Sequence, residues 1–189
     1  MAGGLGKLVL RGVAGGLMAG HGAQKLFGSF GGPGLEGTTQ MMGAMNLKPA
    51  GIWARTAAVS EFGGGVLTAL GFMHPAGPLG IIGAMSMATR KAHWNKPIWN
   101  ADGGAELPVL LMAVAASQII SGPGPLSLDV VLRSRLPGWV VPVGLAAIAG
   151  SIYYAVSQEE EAGPAPETGE PVSETGESGS ETTAGAGAV

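Results

Sequence analysis

Six ionisable side chains interrupt otherwise apolar stretches of this 189-residue sequence: Arg11, His21, Lys25, Glu61, His93 and Glu106. They are the residues with chemistry to offer. An imidazole, an ammonium and a carboxylate held close together can pass protons or grip the polar head of a small molecule. Inside a lipid-embedded helix each such group costs on the order of 2.5–3.5 kcal/mol at the centre, so it turns toward a bundle interior or a wet cavity. At about 100° per residue, Lys25 lies roughly 40° and His21 roughly 80° from Arg11, which puts the three on one helix face. Glu61 sits halfway along its own apolar window, while His93 closes a third window and Glu106 opens a fourth. If consecutive helices alternate in direction, His21, Lys25, His93 and Glu106 share one leaflet, with Glu61 deeper. The expectation is one polar pocket lined by His21, Lys25, Glu61, His93 and Glu106. The plainer reading is that Lys25 snorkels and neutralises Glu61 or Glu106 to fix packing. No residue of the six is marked as catalytic, and no metal-ligand spacing occurs.

The elements that must position these groups are written in the hydropathy. Crossing a bilayer core of about 30 Å takes roughly 20 mainly apolar residues in a helix. Five windows come close: Lys7 to Phe27, Gly51 to Phe72, Pro78 to His93, Glu106 to Ser121, and Trp139 to Val156. The last has no charge and carries Trp139 at one end and Tyr153 and Tyr154 at the other, the aromatic signature of a membrane interface. Charged residues make up 12% of the chain where soluble domains carry about 25%, so a buried soluble core does not account for five such windows. The fold expected is all-α: a polytopic membrane four-helix bundle over residues 1–130, a fifth transmembrane helix over 131–156, and a disordered acidic tail over 157–189. Lys7 and Arg11 precede an apolar stretch as in a secretion signal, but Arg11 interrupts it and no small-residue cleavage site follows. A retained helix is expected instead.

Between the windows, glycines and methionines carry further signals. Gly12, Gly16 and Gly20 repeat every fourth residue on the first helix, as do Gly80 and Ala84 on the third, and small faces of this kind let helices approach closely in lipid. A short helix from Leu35 to Met45 is expected, with Met41, Met42 and Met45 either on the membrane surface or, as the plainer reading, simply packed. The stretch from Arg90 to Ala105, with Trp94 and Trp99, suits the headgroup layer. From Ser157 onward there are eight Glu and no Lys or Arg. The ETGE repeats at Glu167 and Glu174 fit low complexity better than a recognition motif. Arg133 and Arg135 just before the last helix, and the wholly acidic tail, favour a cytoplasmic N-terminus and an outside tail in the cell membrane. The absence of Cys excludes thiol catalysis, disulfides and iron–sulfur ligation in this chain, and the composition argues against nucleic-acid binding.

The run RGVAGGLMAGHGAQKLFGSFGGPGLEGT from Arg11 to Thr38 resembles the opening of the DoxX family of bacterial and archaeal membrane proteins. So do EFGGGVLTALG from Glu61, Met85 to His93, GGAELP from Gly103, and GPGPLSLD from Gly122 to Asp129. The resemblance covers roughly residues 4–130. It implies a four-helix membrane bundle and a redox setting, because the name-giving relatives are small subunits of a thiosulfate:quinone oxidoreductase. Others are associated with membrane complexes that handle oxidative or thiol stress. His21, Lys25, Glu61, His93, Gly104 and Glu106 match recurrent polar and glycine positions of the family, which names a site without naming a reaction. The fifth apolar segment and the acidic tail depart from the family pattern.

Four functions fit unequally. A subunit of a membrane redox complex, its pocket holding a quinone, uses His, Lys and Glu as partners for the head-ring carbonyl. A non-enzymatic anchor for a soluble oxidoreductase uses the same ion pairs to set helix register. A haem carrier with His21 and His93 as ligands rests on two histidines alone. A small transporter lacks the inverted repeats it should show. The first is expected, with the lipid bilayer and a protein of the redox complex as partners.

Overall fold

The computed structural model describes residues 2–134 and 136–162, and among them every regular element is helical. The main helices are α1 (Ala2–Phe27), α2 (Gly34–Ala44), α3 (Ala50–Leu70), α4 (Ala76–Ala92), α5 (Glu106–Ser121), α6 (Leu128–Leu132) and α7 (Val140–Ala162). Single 3-10 turns at Ser29–Gly31 and Asn100–Asp102 shape the connections. All five apolar windows are helices close to their expected limits, and the short helix before Met45 is α2. Helix α7 runs six residues past its apolar window. The expected acidic tail lies, from residue 163 onward, outside the described residues, as does Arg135.

Helix directions follow from the contacts. Gly15 of α1 faces Ala69 of α3 and Gly22 faces Phe62, so these two helices are antiparallel. Lys7 Nζ donates to the Ser121 carbonyl, bringing the end of α5 to the start of α1. Along α4, Leu79 meets Gly144 and Gly83 meets Ile148, so α4 and α7 are parallel. The proximal end of the bundle therefore holds the start of α1, the α3–α4 turn, the end of α5, α6 and the start of α7. The distal end holds the close of α1, α2, the start of α3, the α4–α5 connection and the end of α7.

Glycine permits the tightest of these contacts. A Cβ on Gly22 would lie 2.2 Å from the Phe62 nitrogen, one on Gly15 2.5 Å from the Ala69 nitrogen, and one on Gly65 2.3 Å from the Ala19 nitrogen. The stripe expected to pack, Gly12, Gly16 and Gly20, meets nothing within 4 Å. It lies on the outer face of α1 beside exposed Leu5, Val9, Val13 and Leu17. On α4 the expected small face does pack: Gly80 sits against Gly64 and Ala84 is buried.

A core cluster joins Met18 of α1 to Ile81 and Met85 of α4 and Leu111 of α5. A second, distal cluster joins Met42, Leu47 and Ala54 to Ala155 of α7. Among the described residues, one helix qualifies as a membrane span by length and hydropathy, Val140–Gln158, and α5 is a shorter apolar helix. The other windows fall short for a physical reason: α1 carries Lys7, Arg11 and Lys25 among many glycines, α3 carries Arg55 and Glu61, and α4 has only 17 residues. Glycine adds length without hydropathy.

Candidate functional site

Glu61 is the deepest charged group of α3, with 2% of its surface exposed. A carboxylate so buried needs a partner, since desolvation otherwise costs several kcal/mol. Lys25, in the last turn of α1, supplies it: its Nζ donates to Glu61 Oε1. The antiparallel crossing of α1 on α3 through Gly22 and Phe62 brings the two within reach. Glu61 Oε2 has no hydrogen-bond partner among the described residues.

That pair forms one wall of a cavity of about 590 Å³ in the distal half of the bundle. Helix α3 contributes Trp53, Thr56, Ala57, Ser60 and Glu61, and α7 contributes Gly144, Ala147, Ile148 and Ser151. Helix α4 runs along it from Leu79 to Met87 and on to Lys91 and His93. Met41 and Met42 of α2, with Met45 and Leu47 just after it, complete the wall. Trp53 stacks on Tyr154 with ring centroids 6.2 Å apart, and the Gln158 side chain bonds both backbone groups of Lys48. These contacts fasten α7 to α3 at the distal end. The result is an apolar, methionine-rich chamber with one charged pair in its wall.

The five residues expected to share a pocket do not all meet. Lys25, Glu61 and His93 line the cavity; His21 and Glu106 do not. His21 is exposed, because the packed arc of α1 is centred on Arg11, Ala14, Gly15, Met18 and Gly22 and the histidine falls just outside it. Glu106 is exposed at the start of α5, where its Oε2 accepts from the Asn100 backbone N–H at 2.9 Å. It organises the α4–α5 connection together with buried Gly104, where a Cβ would strike the Pro97 carbonyl oxygen at 1.8 Å. His93 Nδ1 donates to the Gly103 carbonyl oxygen at 2.6 Å, since a carbonyl can only accept. Arg11, first on the face of α1, is at the proximal end. Its Nη1 and Nη2 donate to the carbonyls of Pro123 and Leu126, the first at 2.9 Å.

A second cavity, about 570 Å³, lies at that proximal end and is lined by Lys7, His74, Asp129 and the backbone from Ser121 to Pro125. Each carboxylate oxygen of Asp129 already accepts a backbone N–H, from Met73 at 2.8 Å and His74 at 2.9 Å. Its chemistry is directed at holding the α3–α4 turn, so the distal cavity is the candidate site.

Sequence reasoning missed Trp53, Thr56, Ser60 and the three methionines as lining. A signal was present: positions 53, 56, 57, 60 and 61 follow the three-and-four spacing of a single helix face that ends on Glu61. No curated protein and no solved structure matches the chain. Residues 6–94, which carry the Lys25–Glu61 pair and His93, match the family model DoxX, so that stretch of the chain is similar to this family.

Proposed function

We propose that this chain is a multi-pass subunit of a quinone-linked membrane redox complex, and that the distal cavity holds the quinone head beside Lys25, Glu61 and His93. One observation carries the reading: a chamber with methionine and alanine walls has the Lys25–Glu61 ion pair in its side, the carboxylate buried and the ammonium partly exposed. Such sites are apolar over most of their surface, with a few polar groups that set orientation. A ring bearing two oxygens and an apolar substituent matches that division. The apolar outer faces of α1 and α7 support several helices in lipid, since exposed patches of this extent are rare on water-soluble monomers. A soluble oxidoreductase is the partner that the subunit would serve.

The test is chemical. The chain is extracted from its native membrane in mild detergent, its visible spectrum recorded, and an organic extract assayed for quinone by chromatography. Close to one quinone per chain is expected, falling at least tenfold in a Glu61→Gln chain that still inserts. A colourless, quinone-free preparation would overturn the reading in favour of an anchoring role. A Soret band would overturn it in favour of haem.

A further inference from the structure

We infer that the distal cavity is entered sideways from the bilayer, through a gap between α3 and α7, and that it takes a lipophile with an apolar chain. This route rests on the membrane setting of the proposed function, while requiring no quinone and no electron transfer. Helix α7 packs along α4, with Gly144 on Leu79 and Ile148 on Gly83. It meets α3 at the distal end. There Trp53 stacks on Tyr154, and Ala54 and Ala155 are buried in one cluster with Met42 and Leu47. On the proximal side of that seal each helix contributes an exposed residue to the cavity lining, Thr56 on α3 and Ala147 on α7. A residue that both lines a cavity and is exposed stands at its opening, so these two are the lips of the gap.

What surrounds the lips decides the kind of ligand. At about 100° per residue, Ile52 and Val59 lie within roughly 60° of Thr56, and Val143 lies roughly 40° from Ala147. All three are on the side away from the rest of the lining, and each is more than half exposed. The outer surface at the opening is therefore apolar. One of its two borders, α7, is also the helix long and apolar enough to cross a membrane. A chain dissolved in the bilayer passes from that surface into the cavity without leaving apolar surroundings, whereas a hydrated molecule would have to shed its water first. Just inside, Ala57 and Gly144 are too small to bar the way. The methionine walls beyond them suit a flexible chain, because the unbranched thioether adapts to irregular shapes.

Because the chain has no Cys, thiol labelling reads the route directly. The full chain carrying Ala57→Cys on the cavity wall is placed in nanodiscs and treated with N-dodecylmaleimide, which partitions into the bilayer, or with a sulfonated maleimide, which stays in water. Each rate is compared with that at an open position, Leu17→Cys on the outer face of α1 for the first reagent and Gly3→Cys for the second. The dodecyl reagent should label Ala57→Cys within tenfold of its open rate, and the sulfonated reagent at least a hundredfold below its own. Adding Thr56→Trp at one lip should slow dodecyl labelling of Ala57→Cys at least tenfold and leave Leu17→Cys unchanged. Ala147→Trp, from the opposite lip, should do the same. Sulfonated labelling of Ala57→Cys at its open rate would overturn the route in favour of entry from water. Undiminished dodecyl labelling with both lip variants would place the entrance elsewhere and overturn it as well. No labelling by either reagent would show a closed cavity, with the same result. Neither reagent is a quinone, so a quinone-free preparation that keeps the expected pattern overturns the redox reading alone, and a quinone-bearing one labelled from water overturns the route alone.

Discussion

Asp129 shows how much a single buried carboxylate can organise. It is 2% exposed, accepts the backbone N–H groups of Met73 and His74, and its own N–H reaches the Gly71 carbonyl at 3.0 Å. The turn between α3 and α4 is thus stapled from outside by α6. Replacing Asp129 with Asn turns a donor NH2 toward one of those N–H groups and leaves it without an acceptor, a loss of about 1–3 kcal/mol, read as a lower unfolding temperature in detergent. His74 in the same turn is held below its ordinary pKa of 6.5, chiefly by burial; the Asp129 carboxylate and a bond to the Ile119 backbone oppose the shift, and Lys7 adds to it. The unfolded chain therefore takes up this proton at higher pH than the folded one. Stability is full above about pH 6.5 and declines as the pH falls below it. Unfolding temperatures measured from pH 8 to 5 should show that decline, and His74→Gln should flatten it; an unchanged slope would remove His74 from the account. Neither residue stood out in the sequence by type or spacing, because a carboxylate that serves backbone groups leaves no partner to find. Lys25, Glu61 and His93 did stand out, being ionisable groups in apolar windows. The methionines stood out only as a membrane-surface or packed segment, since a cavity wall and a packed core have the same composition.

At the scale of the helix, α1 shows which information hydropathy omits. Its glycines form two stripes, one through Gly15 and Gly22 and one through Gly12, Gly16 and Gly20. Only the first touches α3. In water the outer stripe would be polar and the choice obvious. Here Leu5, Val9, Val13 and Leu17 make the outer face as apolar as the inner one, so the regular four-residue spacing pointed to the wrong side. The charged residues were the better guide: Arg11 and Lys25 lie on the packed arc, where carbonyls and Glu61 meet them. This contrast can be measured. Gly22→Ala places a carbon 2.2 Å from the Phe62 nitrogen and must push α1 off α3. It should lower the unfolding temperature by several degrees, as overpacking costs about 1–3 kcal/mol. Gly16→Ala meets nothing, and should be neutral or stabilising by up to about 1 kcal/mol through helix propensity. A larger loss from Gly16 than from Gly22 would mean that the outer stripe is the one in contact. The Lys25–Glu61 pair should loosen in Gly22→Ala too, because the same crossing sets its reach.

Over the whole molecule, the directions of five long helices decide where the ends lie. Helices α1, α4 and α7 run from the proximal to the distal end, and α3 and α5 return, so the start of α1 and the end of α7 are at opposite ends. The windows in the sequence were sufficient to count these helices, because each loss of apolar character coincides with a real turn. They were insufficient to show that α7 packs along α4 and closes the distal cavity, since that depends on Gly144 meeting Leu79 and Gly83 meeting Ile148 across 65 residues of chain. Among the described residues, hydropathy alone singles out α7 as a span; α1 and α3 have apolar outer faces but are diluted by glycine or charge, and α4 and α5 are shorter, at 17 and 16 residues. If all five cross the bilayer, as proposed, the N-terminus and the acidic segment after α7 must face opposite compartments. The chain has no Cys, so single cysteines report position without background. Gly3→Cys and Ser178→Cys should react oppositely with a membrane-impermeant maleimide applied to intact cells: Ser178 labelled from outside, and Gly3 only after the membrane is opened. The reverse pattern would keep five crossings and invert the orientation. Labelling of both from the same side would show an even number of crossings, and α7, the most weakly buried of the helices, would then be the first to reassign to the membrane surface.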